Sequence, residues 1–516
     1  MLDPHAHNAD TVATPKRRTI VGGLFALASS AFLPACGGGS TSGSSGAAVP
    51  PAPSAPTNPQ PVPAGSMTTG SVTVTSGSSG TIGAGFNGLS YEKNTLAEPL
   101  FSPSNTNLIG LFKRIGPGVL RIGGNSVDRN VWTPNGAGQT SGQIAPSDVA
   151  ALAGFVKAAG WQCLYGVNLG GAATGATTPT LAAAEVAYAA SQLGPALLGI
   201  EIGNECDLYG DTGGYFVGHW SLEQFETLWE QYRSAILAAT PGVSITGPAS
   251  GGHESTWTVP FGETVTSSQI SLLTQHYYRA NGQSPSSTEA YLVSPDTALP
   301  SNLSMLQTGA RAIGVPYRMS ECNSFYNGGA SGVSDSYASS LWVIDFLFAC
   351  AQGGASGFNL HGGGDASGYT PIADHSGAVL GARPEYYGVL LFTLAGQGTL
   401  YPTSVSAGGL NVTAYAVKNA SGGLSVVVVN KDETQNLRLT ITLPQTATSA
   451  KLLAMTQLSS GASSPSLSAT SGVTIQGAAV NPDGTFTPAA AYTPTVNGTQ
   501  VACYVPALSA VLITTS

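Results

Sequence analysis

"LGIEIGNECD" (residues 198–207) is an apolar run built on Ile200 and Ile202, yet it carries Glu201 and ends in Asn204-Glu205. The isoleucines read as a buried strand. A buried carboxylate is costly unless it is paired, hydrogen-bonded or protonated, so an amide and an acid at the strand's end call for a functional rim. Seven other short runs share this form: "GFNGLSYE" (85–92), "GVLRIGG" (118–124), "QCLYGVNLG" (162–170), "VSITGPAS" (243–250), "ISLLTQHYY" (270–278), "PYRMSECN" (316–323) and "ASGFNLHG" (355–362). Helical segments separate them. In "SLEQFETLWEQYRSAILAATPG" (221–242), Leu222, Phe225, Leu228, Trp229, Tyr232 and Ile236 recur at helix spacing. Ser221 and Gln224 form a capping-box pattern there, and Pro241-Gly242 ends the helix. "SDSYASSLWVIDFLFACAQGG" (334–354) is more apolar and is expected to be a more deeply covered helix. Eight strand–helix alternations across residues 85–396 predict an α/β fold, a (β/α)8 TIM barrel.

The rhythm changes after residue 396. "NVTAYAVKN", "LSVVVVNKD", "LRLTITLP", "AKLLAMTQL" and "SAVLITTS" are short, β-branched and separated by Gly, Ser and Asn turns, which predicts an all-β sandwich over 397–516. Residues 67–84 hold an isolated run, "GSVTVTSG", expected to add a strand to that sandwich. Residues 37–66, "GGGSTSGSSGAAVPPAPSAPTNPQPVPAGS", are Gly/Ser- and then Pro-rich and read as a disordered or extended tether that buries no core. Residues 1–36 read as an export signal, with Lys16, Arg17 and Arg18 before an apolar middle and a small-residue end. "LPAC" is the pattern of a bacterial lipoprotein signal, with Cys36 as the lipidated residue; the alternative is simple cleavage nearby and a soluble product. The apolar run is shorter than the ~20 residues a bilayer needs. The expectation is a protein exported to the periplasm or held at the cell surface, touching membrane only through this anchor.

Charged residues make up 9 % of the chain, against roughly 25 % in an average soluble protein. After Cys36 there are 15 Lys and Arg against 25 Asp and Glu. That balance argues against nucleic acid, which needs clustered positive charge. Cys163, Cys206, Cys322, Cys350 and Cys503 are odd in number and scattered, so they form no disulfide framework. None has metal-ligand spacing, and neither a metal nor another cofactor is expected.

Active sites of such barrels lie at the C-terminal ends of the strands. Four ends are polar: Tyr91-Glu92, Asn204-Glu205, His276-Tyr277-Tyr278 and Glu321-Cys322-Asn323. Two glutamates at the mouths of separate strands suit glycoside hydrolysis, one as acid then base and the other as nucleophile. The first must hold a proton while the second stays ionised. Each glutamate could instead form a buried ion pair with Arg121, Arg279 or Arg318. His276 and His361 read as hydrogen-bonded supports rather than catalysts.

"GLSYEK", "LRIGGN", "IEIGNE", "QHYYRANG" and "SECNSFYNGG" occur in one order along the chain. Together they resemble glycoside hydrolase family 79, the β-glucuronidases and heparanases of clan A, over residues 67–516. The resemblance implies Glu205 as acid/base and Glu321 as nucleophile of a retaining reaction. It implies Glu92 at the sugar hydroxyls and Asn204 at the 2-hydroxyl. Tyr277, Tyr326, Asn327 and Gly328 would hold the substrate carboxylate, with Tyr369 and Asn125 as further substrate-binding matches. A tyrosine hydroxyl and backbone N–H groups of a Gly-rich loop can bind an anion without a full positive charge. Family members usually carry Pro after the acid/base, where this chain has Cys206. Strand alternation would turn Cys206 and Cys322 away from the sugar.

Sulfated chains call for Lys/Arg clusters along a cleft, and here the basic residues are few and scattered. The expected function is therefore exo-β-glucuronidase, releasing terminal β-D-glucuronic acid or its 4-O-methyl form from glycans or glucuronides. The alternatives are an endo-acting, heparanase-like hydrolase, a non-catalytic glycan-binding surface lipoprotein, and the same chemistry on a neutral sugar such as xylose.

Overall fold

The structure, a computed structural model, describes residues 57–420 and 422–516. The export signal, Cys36 and the tether up to residue 56 lie outside the described residues. Eight strands build the barrel: β1 (Asn87–Glu92), β2 (Gly118–Gly123), β3 (Gln162–Val167), β4 (Leu197–Ile202), β5 (Ile245–Ser250), β6 (Leu272–Asn281), β7 (Tyr317–Tyr326) and β8 (Phe358–Gly362). Each pairs in parallel with the next, and β8 returns to β1 to close the ring. These are the eight runs expected from the sequence, and the barrel is the fold expected.

Among the described residues, eight helices of six residues or more cover the ring: α1 (Thr106–Arg114), α2 (Pro146–Ala159), α3 (Pro179–Leu193), α4 (Leu222–Ala239), α5 (Val259–Thr264), α6 (Leu299–Ile313), α7 (Tyr337–Gln352) and α8 (Pro384–Ala395). In α4 the Ser221 hydroxyl accepts from the Gln224 N–H, and Phe225, Trp229, Tyr232 and Ile236 face the core. Helix α7 is buried on nearly every side because the sandwich covers its outer face. Phe348 of α7 stacks on Tyr415 at 4.3 Å, and Asp345 accepts from Thr413, Tyr415 and Lys431 of the sandwich.

The sandwich has a five-stranded and a seven-stranded sheet. The N-terminal strand Met67–Val74 is interior to the first, parallel to Asn436–Thr442 and antiparallel to Thr403–Ser406. Its Val72 and Val74 are buried in the inter-sheet core with Leu437, Leu439, Ile441 and Val426. A second N-terminal strand, Gly80–Ile82, borders Gly398–Tyr401 in the other sheet. The last ten residues read as tether run along the sandwich. Asn58 donates to the Ala490 and Ala491 carbonyls, and Gln60 exchanges two hydrogen bonds with the Tyr504 backbone at 2.7 and 2.8 Å. Composition marks such a segment as coreless, but an extended chain can still lend amides to a sheet it lies against. All five cysteines among the described residues are buried and unpaired. Among those residues no helix is long and apolar enough to cross a membrane.

Candidate active site

Strand β4 ends at Ile202, and Gly203 then turns the chain with φ 83°. A Cβ there would fall 2.5 Å from Cys206 Sγ and 2.8 Å from the Tyr209 hydroxyl, so glycine is required. Glu205 itself is left-handed, with φ 48°, a conformation uncommon outside glycine. It is held by its N–H on the Ala249 carbonyl (2.9 Å) and by its own carbonyl, which accepts from Leu208 N–H. Cys206 is consequently buried by a helical turn that follows Glu205, not by the strand alternation expected. Cys322, within β7, is buried and does face away, donating to the Asn359 carbonyl.

Arg121 of β2 is the centre of the barrel mouth and is fully buried. Its Nε donates to Glu201 (2.6 Å), Nη1 to Glu321 (2.6 Å) and Ser90, and Nη2 to Asn204 Oδ1 (2.8 Å). Glu201, the acid inside the apolar run, is thus paired. Of the three arginines considered as ion-pair partners, Arg318 instead donates to Asn359 and to strand carbonyls, and Arg279 to loop carbonyls. The Asn204 amide is oriented from both ends, its Nδ2 donating to Asn125 Oδ1 at 3.3 Å.

Glu321 emerges from β7 opposite Glu205. One oxygen of each carboxylate and a ring nitrogen of His276 lie within 4.8 Å of one another. Glu321 Oε1 accepts from the Tyr278 hydroxyl at 2.8 Å. Burial pushes its pKa up, but His361, His276, Arg121 and the Tyr278 bond together outweigh that and hold Glu321 well below the carboxylate range. His361 lies 3.7 Å from Glu321 and 3.6 Å from Glu92. Burial lowers its pKa, yet the two carboxylates win and it is raised. Glu92 accepts from the N–H groups of Asn125 (3.1 Å) and Ser126 (2.7 Å) in the loop after β2. Its burial is outweighed by the His361 contact, and its pKa is lowered. Glu205 accepts from or donates to His276 Nδ1 at 3.1 Å, according to the proton's position.

Glu92, Asn125, Asn204, Glu205 and Glu321 therefore meet at one mouth. Tyr277 does not. A bulge between Gln275 and His276 sets the register of β6 against β7 so that His276 and Tyr278 face inward. Tyr277 turns outward, stacks on Phe346 of α7 and donates to Asp296 at 2.7 Å. The assignment of Tyr277 to the substrate carboxylate is corrected: the inward tyrosine is Tyr278. Tyr369 lies beside it, ring centroids 5.8 Å apart, and its N–H donates to Gly328 O at 3.2 Å. Asn327, Gly328 and Gly329 are consecutive residues with left-handed φ of 62°, 80° and 86°, a tight turn at the edge of the mouth. The Tyr326 ring is 45 % exposed at the loop's edge. Sequence reading missed Arg121 as the hub and Tyr278 as the hydrogen-bond donor to Glu321. An arginine inside the apolar run "VLRIGG" was the available signal for the first.

No protein-family model matches the chain. It is 24 % identical over 310 residues to a β-glucuronidase of Aspergillus niger, covering 52 % of this chain and 55 % of the relative. It thus spans about half the length of the curated relative it matches. Among solved structures it superposes on a 4-O-α-L-rhamnosyl-β-D-glucuronidase from Fusarium oxysporum with a TM-score of 0.70 and 20 % identity, over 86 % of this chain and 100 % of that one. A family 51 arabinofuranosidase from Xanthomonas axonopodis follows at 0.63 and 14 % identity, over 87 % and 100 %.

The chain resembles glycoside hydrolase family 79.

The family 79-like barrel shares its fold with enzymes of other specificity, so the fold does not choose the sugar. What this mouth can do is set by its charges. One carboxylate is clamped and ionised among Arg121, His361 and Tyr278. The other faces it with a single histidine contact and partial exposure. The two carboxylates thus sit in unlike surroundings, one fully paired and one partly exposed.

Proposed function

We propose that this family 79-like chain is a retaining exo-β-glucuronidase. The carrying observation is the approach of Glu205 and Glu321 carboxylate oxygens to within 4.8 Å, against roughly 5–5.5 Å for double displacement and 6.5 Å or more for inversion. Glu205 protonates the glycosidic oxygen while Glu321 attacks the anomeric carbon, forming a glycosyl-enzyme. Water then bonds to C1 as the Glu321 carboxylate departs, and Glu205 takes the water's proton. Arg121 and Tyr278 keep the Glu321 oxygens aimed, Asn204 meets the 2-hydroxyl, and Glu92 the ring hydroxyls. Backbone N–H groups of the Asn327-Gly328 turn, with Tyr369 and Tyr278, receive the C5 carboxylate. The few, scattered basic residues favour this over cleavage within sulfated chains.

Aryl glycosides differing only at C5 (carboxylate, hydroxymethyl or hydrogen) test the substrate, and NMR of the first-formed anomer tests the mechanism. Expected are preference for the carboxylate and release of the β-anomer. Preference for hydrogen or hydroxymethyl, or a first-formed α-anomer, overturns the reading. Glu321→Gln should lower kcat at least ~10³-fold; equal inertness of wild type and variant across the panel would favour a binding protein. Export through the residue 1–36 signal, with lipidation at Cys36, is proposed from the sequence pattern, and palmitate labelling of wild type against Cys36→Ser tests it.

A further inference from the structure

Asp128 sits in the 3-10 turn Val127–Arg129 of the loop after β2 and is 4 % exposed. Its Oδ1 accepts from the N–H groups of Leu169 (2.8 Å) and Gly170 (2.9 Å), in the loop after β3. Its Oδ2 accepts from the Tyr209 hydroxyl (2.5 Å) and the Asn204 N–H (3.3 Å), in the turn after β4. An ionised carboxylate has about four acceptor positions, and all are taken. One side chain thus ties together the loops after three consecutive strands and keeps no lone pair for a substrate.

Asn204 is the group this junction holds. It lies past the end of β4, between Gly203 and Glu205 at φ 83° and 48°, so no strand pairing fixes it. Both acceptors of its N–H belong to the junction, Asp128 Oδ2 and the Tyr209 oxygen, each at 3.3 Å. Its side chain leans on the same loop, through Nδ2 on Asn125 Oδ1. Asn125 and Ser126 in turn donate their N–H groups to Glu92. The loop carrying Asp128 therefore sets the spacing between Asn204 and Glu92, the two groups assigned to sugar hydroxyls. Such contacts work only within about 0.5 Å of the productive geometry.

We propose that Asp128 is a positioning residue, whose buried carboxylate holds the Asn204 backbone so that the Asn204 amide meets the substrate's 2-hydroxyl. This rests on the reading of Asn204 as the 2-hydroxyl contact. Asp128→Asn isolates the effect. It keeps the shape and turns one acceptor oxygen into an NH2 donor. The remaining oxygen belongs on the Leu169 and Gly170 N–H pair, where two donors meet. The NH2 then faces the Tyr209 hydroxyl, which can turn to accept, and the Asn204 N–H, which cannot.

The test compares an aryl β-D-glucuronide with its 2-deoxy counterpart, and the ratio of their kcat/KM values reports the 2-hydroxyl. The intrinsic reactivity of the 2-deoxy sugar cancels between wild type and variant, and so does any general loss from loosened loops. Wild type is expected to favour the parent sugar. Asp128→Asn should lower the ratio about tenfold, the scale of one lost hydrogen bond. Asn204→Ala should lower it at least as far, and adding Asp128→Asn to it should lower it no further. Tyr209→Phe removes one acceptor of the Asn204 N–H and one donor to Asp128, so it should lower the ratio about threefold. Equal loss on both substrates, an unchanged ratio in Asp128→Asn and Tyr209→Phe, or a wild type indifferent to the 2-hydroxyl overturns the assignment. Should Asp128→Asn fail to fold, Tyr209→Phe decides alone by the same criteria. A wild type that hydrolyses neither glucuronide overturns the proposed function instead.

Discussion

Tyr277 and Tyr278 are neighbours in sequence with opposite fates. Tyr278 donates to the ionised Glu321, whereas Tyr277 donates to Asp296 on the outside of the barrel. A hydrogen bond to a charged group contributes about 1.5–3 kcal/mol, so Tyr278→Phe is expected to lower kcat/KM by roughly 10- to 100-fold. Tyr277→Phe should leave kcat/KM within about twofold and cost about 1 kcal/mol of stability. Steady-state kinetics and thermal melts on the pair check this; the reverse pattern would restore Tyr277 to the site. Arg121 carries the larger stake. It is buried against two carboxylates, and removing one member of such a cluster strands the others. Arg121→Met is expected to destabilise by at least ~3 kcal/mol, read by denaturant unfolding, with activity lost alongside.

Short elements hold the reacting groups in place. Asp207, on the turn after Glu205, accepts from the N–H groups of Gly251 and Gly252 and from His253 Nδ1. This draws the loop after β5 over Glu205, close enough that a Cβ on Gly251 would fall 3.0 Å from the Glu205 carboxyl carbon. Gly251→Ala should therefore lower kcat about tenfold or more while shifting the melting temperature little, because the loop stays on the surface. Helix α8 supplies a second case. Glu385 near its start is buried, with Asn323 of β7 as its hydrogen-bond donor, and burial raises its pKa to about 8. In the unfolded chain it ionises near 4.5, so between about pH 4.5 and 8 the native state holds the extra proton and stability falls as pH rises. Glu385→Gln mimics the protonated form. Calorimetry should find variant and wild type alike at pH 5 and the variant more stable at pH 8; a constant difference would refute this.

Barrel and sandwich are one folding problem. The strand Met67–Val74 precedes the barrel but completes a sheet whose other members follow it, so the sandwich cannot form until the chain's two ends meet. Removal of residues 57–82 is expected to abolish cooperative unfolding of barrel and sandwich together, as judged by circular dichroism on heating. The contact between them is itself partly ionic. Lys431 is buried on Asp345 of α7, and Asp345→Ala would leave that ammonium without its carboxylate, at a cost of about 2–3 kcal/mol. Denaturant melts would measure it, with Asp345→Asn expected to recover part of the loss.

Eight strand runs, their helical partners and the two acids at strand ends were legible in the order of residues, because periodicity and the cost of burying charge act locally. The sandwich was legible for the same reason, through its β-branched runs and turns. Other features depend on which residues meet across the ring. The bulge in β6 that admits Tyr278 and expels Tyr277 has no local signature. Arg121 could be seen as a buried cation, but its partners lie 80 and 200 positions away, and only closure of the barrel names them. The left-handed turn at Glu205 and the docking of residues 57–66 are likewise set by hydrogen bonds to distant segments. Pattern along a chain records what each stretch must bury; which groups pair within the buried space is decided when all eight strands share one axis.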